Sequence, residues 1–267
     1  VEKMNKQPSI AIIIVSRNRP DLVERSVAQF EQDSYPNKDI LIVECGTEPQ
    51  NLTAHSTVLY SDDDFKGKCF GHNVGLDYLN LQREYDYYLF CMNDVFINDK
   101  TDFLAELVSV MQQNPELGVV SPTEKGAKYP GAEPQSVGVR PVTTSDYLFL
   151  FMRGEVVRKY GFLNAQFKYC WGAIHEYSYK LYSDGWYLAY YDHLDYLHLG
   201  GTTYGNKATK TISREDYLVN AKRFAYQYFV DTYGEDWDTR FWQTASRIRN
   251  IEHNTYQAHR AYWASAL

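Results

Sequence analysis

The stretch Ile10-Ala11-Ile12-Ile13-Ile14-Val15 followed by Ser16-Arg17-Asn18-Arg19-Pro20 decides the reading of this chain. An uninterrupted, mostly β-branched apolar run suits a strand covered on both faces, because successive side chains point to opposite sides of a sheet. Pro20 fits the first position of a helix and Asp21 its first turn. Leu22, Val23, Val27 and Phe30 then recur on one helical face. Asp39-Ile40-Leu41-Ile42-Val43-Glu44 reads as a second buried strand, broken by Cys45-Gly46-Thr47-Glu48-Pro49. Strand, helix and strand in this order predict a βαβ unit with parallel pairing.

The alternation continues downstream. Helices are expected over Asn73 to Leu81, Phe103 to Gln113, Val156 to Gly161 and His175 to Ser183. Strands are expected over Tyr87 to Met92, Gly118 to Ser121, Tyr147 to Met152 and Trp186 to Tyr191. Residues 123–141, rich in Gly, Pro, Lys and Ser, read as a long loop of the kind that often carries function. Beyond about residue 212 the pattern changes. Tyr217, Leu218, Ala221, Phe224, Ala225, Tyr228 and Phe229 share one helical stripe, and Phe241, Trp242, Ala245 and Ile248 begin another. The expected fold is α/β, a Rossmann-like, mostly parallel sheet flanked by helices over 1–212, with a C-terminal helical extension over 213–267.

Bulk properties narrow the function. With 267 residues, 44% of them hydrophobic, the chain can bury a full core without metal or disulfide staples. A net charge of −7 and the lack of any lysine/arginine block argue against nucleic acid as the main partner, since phosphate neutralisation supplies much of that affinity. The apolar run at Ile10 to Val15 falls far short of the roughly 20 residues of a membrane-spanning helix, and no apolar leader precedes it. Cys45, Cys69, Cys91 and Cys170 form no C-x-x-C; three of them sit in or beside apolar stretches, where a small buried thiol is the ordinary reading, and the compartment is expected to be reducing. The expected location is cytoplasmic. Aromatic residues abound, 24 Tyr, 13 Phe and 5 Trp, which suits an aromatic core and also a sugar-stacking surface.

Ligands of open parallel sheets sit beyond the carboxyl ends of the strands, so polar residues there carry the most information. Three consecutive strands deliver such groups: Ser16-Arg17-Asn18-Arg19, then Glu44, then Asn93-Asp94. Asp94 lies too far upstream to cap the helix that starts near Phe103. A lone aspartate after an apolar strand suits a hard divalent cation that completes its coordination with diphosphate and water, and Asn93 can support it from an outer shell.

These segments, in order, resemble the family 2 glycosyltransferases of the GT-A type. Ile12-Ile13-Ile14-Val15-Ser16-Arg17-Asn18-Arg19-Pro20 is similar to the family's first strand and "T-Y-N-R-P" turn. Leu41-Ile42-Val43-Glu44-Cys45-Gly46-Thr47 resembles "V-V-D-D-G-S". Gly71-His72-Asn73-Val74-Gly75-Leu76 is similar to "A-x-N-x-G", and Leu89-Phe90-Cys91-Met92-Asn93-Asp94-Val95 to the strand that ends in D-x-D. Gly161-Phe162-Leu163-Asn164-Ala165-Gln166-Phe167 resembles "G-x-F-D-E-x-F". Leu197-His198-Leu199-Gly200-Gly201-Thr202 is similar to "H-x-G-G-S".

The resemblance implies an inverting, metal-dependent transferase acting in polysaccharide synthesis. It would move a hexose or deoxyhexose from a UDP- or dTDP-linked donor to a hydroxyl of a glycan. It also implies that Asp94 and His198 hold Mn2+ or Mg2+, and that Ser16, Arg17, Glu44 and Asn73 line the nucleotide site. Peripheral membrane association and subunit pairing through the C-terminal helices are compatible with it. Two departures stand out: Met92 occupies the first acid of D-x-D, and Gly172-Ala173 stand where the family has its acidic pair after Trp171. Glu176 is then the expected base, with His175 as second choice and Asp146 or Asp195 beyond them. Trp171 is the expected acceptor platform. The competing reading is a catalytically silent nucleotide-sugar or glycan-binding protein. Sugar nucleotidyltransferases and dinucleotide-binding dehydrogenases are disfavoured, because no glycine-rich loop follows the first strand.

Overall fold

A computed structural model describes residues 7–61, 66–127, 129, 131–135, 138–200, 213–249 and 251. The strand β1 (Ile10–Ser16) is buried along its whole length. It pairs in parallel with β2 (Lys38–Cys45) on one side and β4 (Tyr87–Met92) on the other, and its burial on both faces accounts for the absence of a polar residue before Ser16. β3 (Ser56–Tyr60) extends this parallel half beyond β2. The helix α1 (Pro20–Gln32) begins on Pro20 and buries Leu22, Val23, Val27 and Phe30, as the spacing predicts.

The helix α2 (Lys68–Asn80) starts five residues before the expected Asn73 and crosses β1 and β2 at close range. A Cβ on Gly75 would lie 2.6 Å from Ile13 and 2.8 Å from Val43, so only glycine lets the helix settle there. His72 on the same helix is buried, with Nε2 3.1 Å from the Cys91 carbonyl oxygen. Burial pushes its pKa down to about 4.

The second half of the sheet departs from parallel pairing. β5 (Val95–Ile97) follows β4 almost at once, and α3 (Phe103–Gln113) leads into β6 (Leu117–Glu124). β7 (Val139–Val142), β8 (Phe149–Arg153), α4 (Gly154–Tyr160), α5 (Ala173–Ser183) and β9 (Tyr187–His198) complete the body. Along the sheet the order is β3-β2-β1-β4-β8-β6-β9-β5, with β7 also on β9. β8 runs antiparallel to both β4 and β6, so the sheet is mixed. The short β3, β5 and β7 were not anticipated, and β6 and β9 run past their expected ends.

Two amphipathic helices, α6 (Arg214–Tyr233) and α7 (Trp237–Ile248), close the described chain. They pack on α5 and the turn before it through aromatic contacts. Tyr179 stacks on Phe241 at 4.2 Å, and Phe167 meets Tyr228 at 4.5 Å. Gly201 and Thr202 of the His198 motif, and the proposed boundary at 212, lie outside the described residues.

Candidate active site

The polar strand ends converge at one edge of the sheet. Ser16 closes β1 and is the register partner of Glu44 on β2. Asn93, immediately after β4, donates from Nδ2 to the Ser16 hydroxyl at 3.1 Å, while its carbonyl accepts from Ser26 at 3.0 Å. Asn93 is thereby locked, and Asp94 projects from a braced turn; both are buried.

Backbone pairing brings His198 to Asp94. β5 pairs antiparallel with the end of β9, and Val95 is the register partner of His198. The Leu199 amide then donates to the Asp94 carbonyl at 3.0 Å. As a result the Asp94 Oδ2 and His198 Nε2 atoms lie 3.6 Å apart. His198 Nδ1 faces Glu124 Oε1 at 3.5 Å. Glu124 ends β6 opposite Tyr196 on β9, two residues before His198, and residues two apart share a sheet face.

Burial disfavours the charged imidazole of His198. Its hydrogen bonds and ion pairs with Asp94 and Glu124 outweigh that, and its pKa is raised to about 9. Lys68 and Arg19 add positive charge within electrostatic reach of Asp94.

Glu124 did not emerge from the sequence, because the strand there was expected to stop before Pro122. The structure carries β6 through Pro122 at a register irregularity, the kind of place where a missing N–H is tolerated in a sheet.

The donor set can be tested against a divalent cation. Two ligand atoms each about 2.1 Å from one ion can be up to roughly 4.2 Å apart, so the 3.6 Å pair of Asp94 and His198 is compatible with a shared ion. Glu124 on the far ring nitrogen matches the outer-shell carboxylate that typically orients a metal-binding histidine. Among the described residues, no group of three His, Cys, Asp or Glu is arranged to hold a metal.

Of the residues expected at the nucleotide, Ser16 and Glu44 are buried and Arg17 and Asn73 half-buried. The Glu44 carboxylate is fully buried and accepts from the hydroxyls of Thr47 and, at 2.9 Å, Ser56. Arg17 donates to the Cys45 carbonyl at 3.2 Å, tying the turn after β1 to the end of β2. Asn18 takes the left-handed conformation with φ 51° and accepts from the Glu48 amide at 2.8 Å. Asn73 donates to the carbonyls of Cys69 and Leu163 at 2.8 and 2.9 Å.

Glu176, His175 and Trp171 form a second group, on α5 and the turn before it. Glu176 is buried, and its Oε1 accepts from Tyr228 on α6 at 2.7 Å, with Tyr233 at 3.4 Å and Asn164 at 3.5 Å. Its Oε2 pairs with Lys180 at 3.2 Å. The carboxylate is thus tied to α6 through Tyr228 and to its own helix through Lys180. His175 is buried beside the ring of Phe229. Trp171 is half-buried and carries Lys222 over its ring at 5.5 Å. Asp146 is buried too, its oxygens accepting from the Leu148 amide and the hydroxyls of Tyr190 and Tyr196. Asp195 accepts from Asn98 at 2.6 Å.

This architecture is the GT-A fold of glycosyltransferases. Among solved structures, the chain is similar to a Pyrobaculum calidifontis mannosyltransferase, PcManGT, in complex with GDP-Man and Mn2+. The two share 13% identity at a TM-score of 0.63, over 98% of this chain and 76% of that one. It is also similar to GalNAc-T7 with UDP, GalNAc and Mn2+, at 10% identity and a TM-score of 0.62, over 97% of this chain and 55% of that one. For S. aureus TarS 1-349 in complex with UDP-GlcNAc the values are 13% and 0.58, over 97% of this chain and 79% of that one. No protein-family model and no curated protein matches the sequence.

Proposed function

We propose that this protein is a glycosyltransferase that moves a sugar from a nucleoside-diphosphate donor to a hydroxyl of a glycan, assisted by a divalent cation. The observation that carries the proposal is the approach of Asp94 and His198 to 3.6 Å at the strand-end edge. Cations and nucleotides in the crystals of similar structures support it. The inverting course, the UDP or dTDP nucleotide and a role in polysaccharide synthesis rest on the motif resemblance.

In this reading Asp94 and His198 hold Mn2+ or Mg2+, and Glu124 keeps the His198 ring turned toward Asp94. The bound cation would supply Lewis-acid stabilisation of the departing diphosphate. Ser16, Arg17, Glu44 and Asn73 shape the nucleotide side, with Asn93 bracing the turn that presents Asp94. Lys68 and Arg19 add cationic charge on the side where the diphosphate gathers its negative charge. Trp171 offers an apolar face to the acceptor sugar. Glu176 is the proton acceptor of this reading, with His175 as second choice, and the bond from Tyr228 to Glu176 also ties α6 to α5.

One observation favours a second reading, a nucleotide-sugar binder that transfers nothing. It is the enclosure of the Glu176 carboxylate by Tyr228 and Lys180, in a helix that opens on Ala173 and Ile174 rather than on acids. The test is release of free nucleoside diphosphate from a panel of nucleotide-sugars with Mn2+, for the wild type and for Asp94→Asn. Release that falls at least ~100-fold in a folded Asp94→Asn protein supports the transferase. Binding by the wild type without release supports the binder, and activity retained in Asp94→Asn removes the cation assignment.

A further inference from the structure

Cys69 and Cys170 stand 101 residues apart in sequence, yet their sulfurs approach to 3.0 Å, with the Cys69 thiol donating to Cys170. Both side chains are buried. Cys69 lies in the first turn of α2, and Cys170 in the turn before α5, where its φ of 64° is left-handed. The two segments are pressed together main chain to main chain: a Cβ on Gly67 would fall 1.7 Å from the Lys168 carbonyl oxygen. Asn73 adds a tie, bonding the carbonyls of Cys69 and Leu163 at once. The remaining thiols are held differently, Cys45 on the Val43 carbonyl and Cys91 on the Met92 carbonyl.

We infer that Cys69 and Cys170 form a covalent modification site, a thiol pair that hydrogen peroxide converts into an intramolecular disulfide. Bonding distance is about 2.0 Å, so the sulfurs must close by about 1 Å within a scaffold already in contact. Burial opposes ionisation of Cys170, but the Cys69 thiol and the Lys68 cation outweigh it and bring its pKa below the ordinary value. Burial and the same hydrogen bond push the Cys69 pKa up.

The Cys69 thiol donates to the Cys170 sulfur, which makes Cys170 the attacking sulfur and Cys69 the resolving one. The Cys170 thiolate attacks one peroxide oxygen; the O–O bond breaks, hydroxide leaves and takes up a proton as water, and a sulfenic acid remains. The Cys69 sulfur attacks that sulfenic sulfur; the S–S bond forms, the S–O bond breaks and a second water leaves. Two electrons pass from the thiol pair to the peroxide. The product staples the start of α2, and the carbonyl that Asn73 holds, to the turn bearing Trp171.

The 267-residue chain, folded and with chelator present, is exposed to hydrogen peroxide; remaining thiols are alkylated, and the protein is weighed intact and mapped without reduction. The expected result is a loss of about 2 Da before alkylation, a fall from four free thiols to two, and one linked peptide pair holding Cys69 and Cys170. The thermal midpoint rises, and dithiothreitol reverses the change. In Cys69→Ser, Cys170 has no resolving partner and gains oxygen instead. The wild-type peptide map decides alone if that variant does not fold. Four thiols surviving a dose that oxidises an exposed control thiol overturns the inference. So does a link involving Cys45 or Cys91, or oxygen gain at wild-type Cys170 without a link.

Discussion

Raising the pH of the chelated protein from about 6 to about 10 removes the proton that His198 holds between Asp94 and Glu124. The folded state binds this proton with a pKa raised from 6.5 to about 9, against the ordinary value in the unfolded chain. Between those values the folded form carries more protons, so stability falls as pH rises. The contribution is complete below about 6.5 and gone above about 9. At ~1.4 kcal/mol per pH unit, the ceiling is about 3 kcal/mol. A quarter of the His198 side chain is exposed, so solvent screening brings the expected loss to roughly 1–3 kcal/mol. Urea unfolding of wild type and His198→Gln at each pH isolates the effect. The difference between them should shrink with rising pH, because the variant lacks the titrating ring. His72, with its folded pKa down at about 4, stays neutral in the folded state over this window, and its titration in the unfolded chain is common to wild type and variant and cancels in their difference. A difference that stays flat from about pH 6 to about pH 10 would show that His198 is not the proton carrier of this cluster.

Replacing Glu176 separates anchoring from proton transfer. Glu176→Ala leaves the Tyr228 hydroxyl without its acceptor and should cost roughly 1–3 kcal/mol in urea unfolding. Glu176→Gln keeps an acceptor oxygen and should cost less than about 1 kcal/mol. If transfer in the glutamine variant drops by ~100-fold or more at unchanged stability, Glu176 is the base; transfer near wild type leaves it an anchor only. Gly75→Ala drives a methyl to 2.6 Å from Ile13 and 2.8 Å from Val43. The overpacking, about 1–3 kcal/mol, exceeds the gain of up to ~1 kcal/mol in helix propensity, so a lower thermal midpoint is expected. A midpoint at or above wild type would mean that α2 can lift off the sheet without cost.

Much of the architecture was legible because burial writes itself into periodicity. Ile10 to Val15 is apolar on both faces because the strand is buried along its whole length, with α2 packed against it, and α1 starts on Pro20 because proline presets the backbone there. Residues that end strands announce themselves by breaking an apolar run, which is how Ser16, Glu44, Asn93 and Asp94 stood out. Other features depended on pairing between distant segments. β5 has three residues and no periodicity to detect, yet its register with β9 is what sets His198 beside Asp94. Glu124 was hidden behind Pro122, whose missing N–H reads locally as a strand stop and is tolerated only at an irregularity in the completed sheet. The acidity of Glu176 was plain in the sequence, whereas its enclosure by Tyr228 came from the docking of α6. Local chemistry and burial pattern are properties of neighbours along the chain. Which carboxylate shares an edge with which imidazole is set by cross-strand register and helix docking, and these exist only once the chain has folded.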